Sequence, residues 1–156
     1  MKKFLVGIIL VLIIFKLTEE KIYIAVEFGN STEIVTSVAA VKGTPLVINF
    51  IHSVQKTPVI EELEFDGENF ILLRTKYKSQ GVGLPFMESD GKFYRDGDWF
   101  IMDNMNRKFK NLQLRTGVGT ELTVTLNGQE FKLFEKFPAG TKILIDAAPR
   151  FEILLK

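Results

Sequence analysis

The chain has a single histidine, His52, and its surroundings contain the residues best suited to chemistry. They read His52-Ser53-Val54-Gln55-Lys56-Thr57-Pro58-Val59-Ile60-Glu61-Glu62. The apolar run from Leu46 to Ile51 leads straight into the histidine, a polar turn with Pro58 follows, and a second strand-like run begins. In an extended run Val59, Glu61, Leu63 and Phe65 share one face, opposite Ile60, Glu62 and Glu64. That face is otherwise apolar, so Glu61 is expected to point inward, where a carboxylate is costly unless paired or hydrogen-bonded. His52 is the nearest candidate partner across the hairpin. The pair reads either as a polar site for a ligand or as a clasp that closes the hairpin. A second segment, Lys78-Ser79-Gln80-Gly81-Val82-Gly83-Leu84-Pro85-Phe86, places two glycines before an apolar stretch. Glycine permits close backbone approach or dihedral angles that other residues avoid. This segment reads as a pocket rim with exposed amides or as a tight connection between strands. The candidate ligand-binding residues are His52, Ser53, Glu61, Gly81 and Gly83.

Most catalytic classes are disfavoured by what surrounds these residues. The chain has no cysteine, which removes disulfides, thiolate metal sites and a cysteine nucleophile. A Ser-His-Asp triad would have to use His52, and no Gly-x-Ser-x-Gly elbow is present. A zinc site would need carboxylates for every ligand but one. Asp96-Gly97-Asp98 and Asp66-Gly67-Glu68-Asn69 could offer oxygens to calcium, yet both are ordinary turn sequences and neither matches an EF-hand loop. Glu61 and Glu62 fall on opposite faces of a regular strand, which argues against a two-carboxylate hydrolase. No helix follows Gly81-Val82-Gly83 to complete a phosphate cradle. With 20 basic and 19 acidic residues the net charge is +1, which gives no electrostatic footprint for nucleic acid. The expectation is a non-enzyme with no cofactor, no metal and no nucleic-acid partner.

The elements that must position these residues are strands. From Ile22 the sequence alternates, with Ile22, Ile24, Val26 and Phe28 on one face and Tyr23, Ala25 and Glu27 on the other, a period-two pattern rich in β-branched residues. Similar runs occur at 34–41, 45–52, 58–65, 69–77, 92–95, 98–102, 109–115, 121–126, 129–135, 141–146 and 150–155. Asp66-Gly67, Asp90-Gly91, Asp96-Gly97 and Asn127-Gly128 separate several of them with turn chemistry. Asn127-Gly128 suits a two-residue type I′ hairpin. That loop sets Val124 opposite Phe131 and Leu122 opposite Leu133, with Thr123 opposite Lys132 and Thr125 opposite Glu130, so apolar meets apolar and polar meets polar. No stretch beyond residue 17 keeps helical periodicity for ten residues. The fold expected is all-β, an antiparallel β-sandwich or barrel-like sheet, preceded by one N-terminal hydrophobic helix. Most of the 14 phenylalanines belong to its core. Trp99 and Phe100 alternate, so one of them is expected at an edge or interface.

The N-terminus supplies an address. Met1-Lys2-Lys3 precedes twelve uncharged residues, Phe4 to Phe15, and Lys16 closes the run. This is a basic start followed by an apolar segment of signal-peptide size. Lys16-Leu17-Thr18-Glu19-Glu20-Lys21 offers no small-x-small cleavage site, which favours an uncleaved anchor over a cleaved signal. Twelve helical residues cover ~18 Å, less than a ~30 Å hydrocarbon core, and snorkelling of Lys2, Lys3 and Lys16 narrows the gap. Residues 1–17 are read as a signal-anchor or transmembrane segment. Residues 18–156 form the β domain, with 17 basic and 19 acidic residues, and positive-inside logic places it outside the cytoplasm. The localisation expected is the cell membrane, single-pass.

The two motif segments together resemble a family of small bacterial proteins of unknown function. Its members carry a His-Ser-Val, Thr-Pro, Glu-Glu segment followed by Gly-x-Gly before Met or Leu. Here these are His52-Ser53-Val54, Thr57-Pro58, Glu61-Glu62 and Gly81-Val82-Gly83-Leu84, and the resemblance covers about residues 45–86. It departs at Val59-Ile60, where the family has an aromatic after the proline. Members are typically short, exported or N-terminally anchored, and encoded beside TAXI-type TRAP transporters. The resemblance implies an accessory role near a solute transporter, with a transporter component or a small solute as partner. The function expected is a membrane-anchored extracytoplasmic binding or accessory domain. The alternative is a structural or adaptor domain without a ligand; a hydrolase is a more distant reading.

Overall fold

A computed structural model describes residues 2–28 and 31–155; the side chains of residues 2–4 and Phe28 fall outside that description, and with them the expected snorkelling of Lys2 and Lys3 and the expected face of Phe28. The chain opens with helix α1 (Lys2–Thr18). Five strands follow: β1 (Glu20–Phe28), β2 (Ser31–Ala39), β3 (Pro45–Ile51), β4 (Pro58–Phe65) and β5 (Phe70–Tyr77). After a 3₁₀ turn at Glu88–Asp90 come β6 (Lys92–Asp96), β7 (Trp99–Asp103), β8 (Arg107–Phe109), β9 (Leu112–Arg115), β10 (Thr123–Leu126) and β11 (Gln129–Lys132). Helix α2 (Leu133–Lys136), β12 (Lys142–Pro149) and helix α3 (Arg150–Ile153) complete it.

The strands pair antiparallel into two sheets that pack as a sandwich. The smaller runs β2-β1-β12-β9 and the larger β11-β10-β3-β4-β5-β7-β6, with β8 pairing the first half of β5. Between them Ile22, Ile24, Val26, Ile143 and Ile145 of the smaller sheet meet Leu46, Ile48, Leu63, Phe65, Phe70 and Leu72 of the larger, all essentially buried. Each such side chain is worth roughly 1.5–3 kcal/mol when fully buried. Phe65 and Phe70 face each other across the Asp66-Gly67 turn with ring centroids 5.5 Å apart.

The expected alternation holds on the inner face of β1, but its outer face is also closed. Tyr23 and Ala25 are fully buried there beneath Ala148 and Ile153. This explains a correction at the C-terminus. Residues 150–155 do not form a strand; Pro149 ends β12, the Arg150 N–H donates to the Glu19 carbonyl at 3.0 Å, and α3 folds Ile153 over Tyr23. An added strand would have left the outer face of β1 in water. The run 129–135 likewise ends as strand at Lys132, where α2 turns Leu133 into the core. The run 109–115 is interrupted at residues 110–111 and divides between the two sheets.

The hairpin at Asn127-Gly128 forms as expected. Both residues have positive φ, 48° and 81°, as a type I′ turn requires. The pairs Val124↔Phe131, Thr123↔Lys132 and Thr125↔Glu130 are in register, and the Leu133 N–H donates to the Leu122 carbonyl at 3.0 Å. Proline cannot take positive φ. Asn127→Pro is therefore expected to destabilise the domain by ~2 kcal/mol or more, read as a lower urea midpoint. An unchanged midpoint would contradict the turn.

Candidate functional site

His52 begins the turn between β3 and β4. Its N–H donates to the Thr57 carbonyl and its own carbonyl accepts the Lys56 N–H, both at 2.9 Å, with Lys56 at φ 54°. The buried imidazole is fully used. Its Nδ1 accepts the Val54 N–H at 3.2 Å and the Gln55 N–H at 3.1 Å. Nδ1 must then carry a lone pair, which assigns the proton to Nε2. Nε2–H in turn donates to the Val82 carbonyl at 3.2 Å. One neutral ring thus ties the 52–57 turn to the glycine segment thirty residues on.

Gly81 is required for that contact. A Cβ there would lie 2.9 Å from Gln55 Cγ and 3.2 Å from the imidazole ring. Gly83 has a different reason: it has φ +87° with open space around it, a backbone conformation that L side chains rarely adopt. The loop returns to the core through buried Leu84 and through the Tyr77 hydroxyl, which donates to the Pro85 carbonyl. Beside it lies a surface cleft of about 460 Å³, lined by residues that include Gln55, Tyr77, Gln80 and Phe86. His52 does not line it. Ser53 is exposed in the turn. His52, Ser53, Gly81 and Gly83 therefore come together at one end of the sandwich, and the histidine fills the junction itself.

Glu61 lies elsewhere, which corrects the expected His52–Glu61 pairing. In the β3–β4 ladder Ile51 faces Pro58, beside His52, whereas Glu61 faces Ile48. Three residue steps separate the two pairs, roughly 10 Å at ~3.3 Å per residue. Glu61 does take the inward face, as expected. It enters a cleft of about 300 Å³ between the sheets, walled by Ile48, Leu63 and Leu72 of the larger sheet and by Leu112 and Leu114 of β9. Burial raises the pKa of its carboxyl above the ordinary value, and the charge of Arg107 partly offsets this. Arg107 comes from β8, which the pairing Leu72↔Arg107 sets beside Leu72. Nothing in the local sequence announces it; only the β5–β8 pairing brings it to the cleft.

The neighbouring Glu62 points to the other face, as its position implied. There it pairs with Lys76 and with Arg74 at 3.3 Å, and Arg74 also reaches Asp103 at 3.0 Å. Of the turns considered for calcium, Asp66 uses Oδ1 to accept the Glu68 and Asn69 N–H groups at 2.9 and 2.7 Å, and these bonds hold its carboxyl below the usual range. Among the described residues no group of three or more His, Cys, Asp or Glu side chains could hold a metal ion.

Two outcomes follow from this geometry. Gly81→Ala is expected to cost ~1–3 kcal/mol by pressing on Gln55 Cγ and on the imidazole. The imidazole's share of that cost should be absent in a His52→Ala background, and fully additive losses in the double-mutant cycle would refute the contact. For Glu61, the folded carboxyl binds its proton more tightly than the unfolded one, whose value is near 4.5. Its contribution to stability is complete below that unfolded value and is lost as pH rises through the raised folded value. Glu61→Gln should therefore be more stable than the parent at neutral pH, with the difference shrinking toward pH 4. Thermal melts across pH check it; a difference that does not change with pH would be the contrary result.

Comparison with known proteins finds no similar curated protein and no similar solved structure. It does find one matching family, described as a domain of unknown function, DUF1850, over residues 46–133. The matched segment takes in all of the larger sheet from Leu46 onward, together with β9. The remaining strands of the smaller sheet, β1, β2 and β12, come from the flanks. With more than half of its length matched, the chain belongs to the DUF1850 family.

Proposed function

We propose that this chain is a non-catalytic accessory domain tethered to the membrane by α1. Its β-sandwich sits on the extracytoplasmic side, beside a TRAP-type solute transporter. The observation that carries the reading is α1 itself. From Leu5 to Phe15 its large hydrophobic side chains are exposed, up to 72% at Phe15, and they occupy every face of the helix. A helix apolar all round requires apolar surroundings. Seventeen residues at ~1.5 Å each give ~26 Å. No helix among the described residues is long and apolar enough to cross a membrane unaided. In this reading the flanking lysines and a locally thinned bilayer supply the few remaining ångströms.

The base of the domain supports the same orientation. α1 meets α3, and Phe151, Leu154 and Leu155 lie exposed beside that junction, the last at 83%. These side chains would face lipid at the point where α1 enters it. The transporter partnership rests on the paired motifs around His52 and Gly81. Commitment of both His52 nitrogens to backbone groups supports a role without catalysis. The filled histidine junction also favours an adaptor at that end of the sandwich, so binding of a small solute is drawn to the Glu61 cleft.

The full-length chain is expected to pellet with membranes after an alkaline wash, and mass spectrometry should find Met1 or Lys2 at its N-terminus. Release into the soluble fraction, or a product beginning between Thr18 and Glu27, would overturn the tether.

A further inference from the structure

The cleft at Glu61 has an unusual composition. Aliphatic side chains, among them Ile48, Leu63, Leu72 and Leu112, form most of its wall; Asn111 and Gln113 line it too, and one carboxylate and one guanidinium border it. Among the described residues Glu61 has no hydrogen bond and no ion pair within 4 Å; Arg107 acts on it only through its field. Arg107 instead lies over the Phe109 ring, 5.7 Å from the centroid. A largely buried carboxylate and an exposed guanidinium therefore border the same cleft without closing on each other. Desolvating a carboxylate costs free energy that the field of Arg107 recovers only in part. Charged groups held in such clefts against the interest of stability are characteristic of binding sites.

From this juxtaposition we propose that the cleft between β4, β8 and β9 binds a small zwitterion with an apolar body, of the α-amino-acid class. Its ammonium would meet Glu61, its carboxylate Arg107, and its side chain the aliphatic walls. The polar requirements match in kind: Glu61 is acceptor-only when ionised, and Arg107 is donor-only with a fork suited to a carboxylate. An ammonium placed beside Glu61 also favours its ionised form. A volume of about 300 Å³ is at the lower end for ligand pockets and suits a single small metabolite. This inference deepens the binding role proposed above and is independent of the tether.

The test uses the full-length chain in detergent micelles, with thermal unfolding followed by Trp99 fluorescence. L-Leucine and L-phenylalanine are the probes, at 10 mM. The controls are 4-methylpentanoate, which lacks the ammonium, and isopentylamine, which lacks the carboxylate. A ligand specific for the native state must raise the melting temperature. At least one amino acid should raise it by ~2 °C or more, and neither control should. Glu61→Gln and Arg107→Gln should each remain folded and lose the shift. Absence of a shift with both amino acids overturns the proposal. So does a shift that survives in both variants, or an equal shift from either control. Either negative result leaves membrane pelleting unaffected, so failure of the site and failure of the tether are told apart.

Discussion

β1 is buried on both of its faces from Ile22 to Val26, and much of the architecture can be read as meeting that requirement. The inner residues need the larger sheet opposite them. The outer pair, Tyr23 and Ala25, need a cover that no sheet supplies, and α3 provides it by bending away from β12 at Pro149. The backbone of β1 is satisfied by β2 on one side and β12 on the other, so the first and last strands of the chain must meet. Hydrophobic burial on this scale repays the order imposed on the chain termini, which would otherwise fray.

The two sheets differ in size, and the difference creates the site. Eight strands face four, and the short β9 is the last strand of the smaller sheet on its side. The ordinary alternation of β4 places Glu61 in the cleft between that strand and β9. The same sequence one residue out of register would have put Glu62 there and left its cations Arg74 and Lys76 on the wrong side. The family resemblance and the fold agree in emphasis, since the segment shared with DUF1850 carries the larger sheet, both motif segments and Arg107.

Local rules were read well from the sequence and long-range ones were not. Asn127-Gly128 announced both its turn and the register beyond it, because a two-residue loop leaves no freedom in pairing. The strands from β3 to β5 announced themselves by alternation, and Glu61 by breaking it. His52 does meet the Gly81–Gly83 segment, although the link runs from the imidazole to a carbonyl and two amides, groups that every residue possesses and no sequence pattern reveals. His52 and Glu61 do not pair, because position along the strands decides proximity across the β3–β4 ladder. Arg107 was missed because nothing near it in sequence is apolar in a telling rhythm. The final helix was missed for a similar reason: Phe151, Ile153 and Leu155 alternate like a strand, and only the exposed flank of β1 makes a helical turn the better solution.

The connection between α1 and β1 is a single residue, Glu19, so any load on α1 would pass directly into an inner strand of the smaller sheet. β1 is held antiparallel by ladders running nearly its full length on both sides. Tension along its axis would be borne by many perpendicular hydrogen bonds in parallel. Such a strand must slide against both neighbours at once before it yields, whereas a hairpin peeled from its tip parts one pair at a time. The fold is therefore stiffest along the axis of β1, the direction in which α1 would transmit a pull.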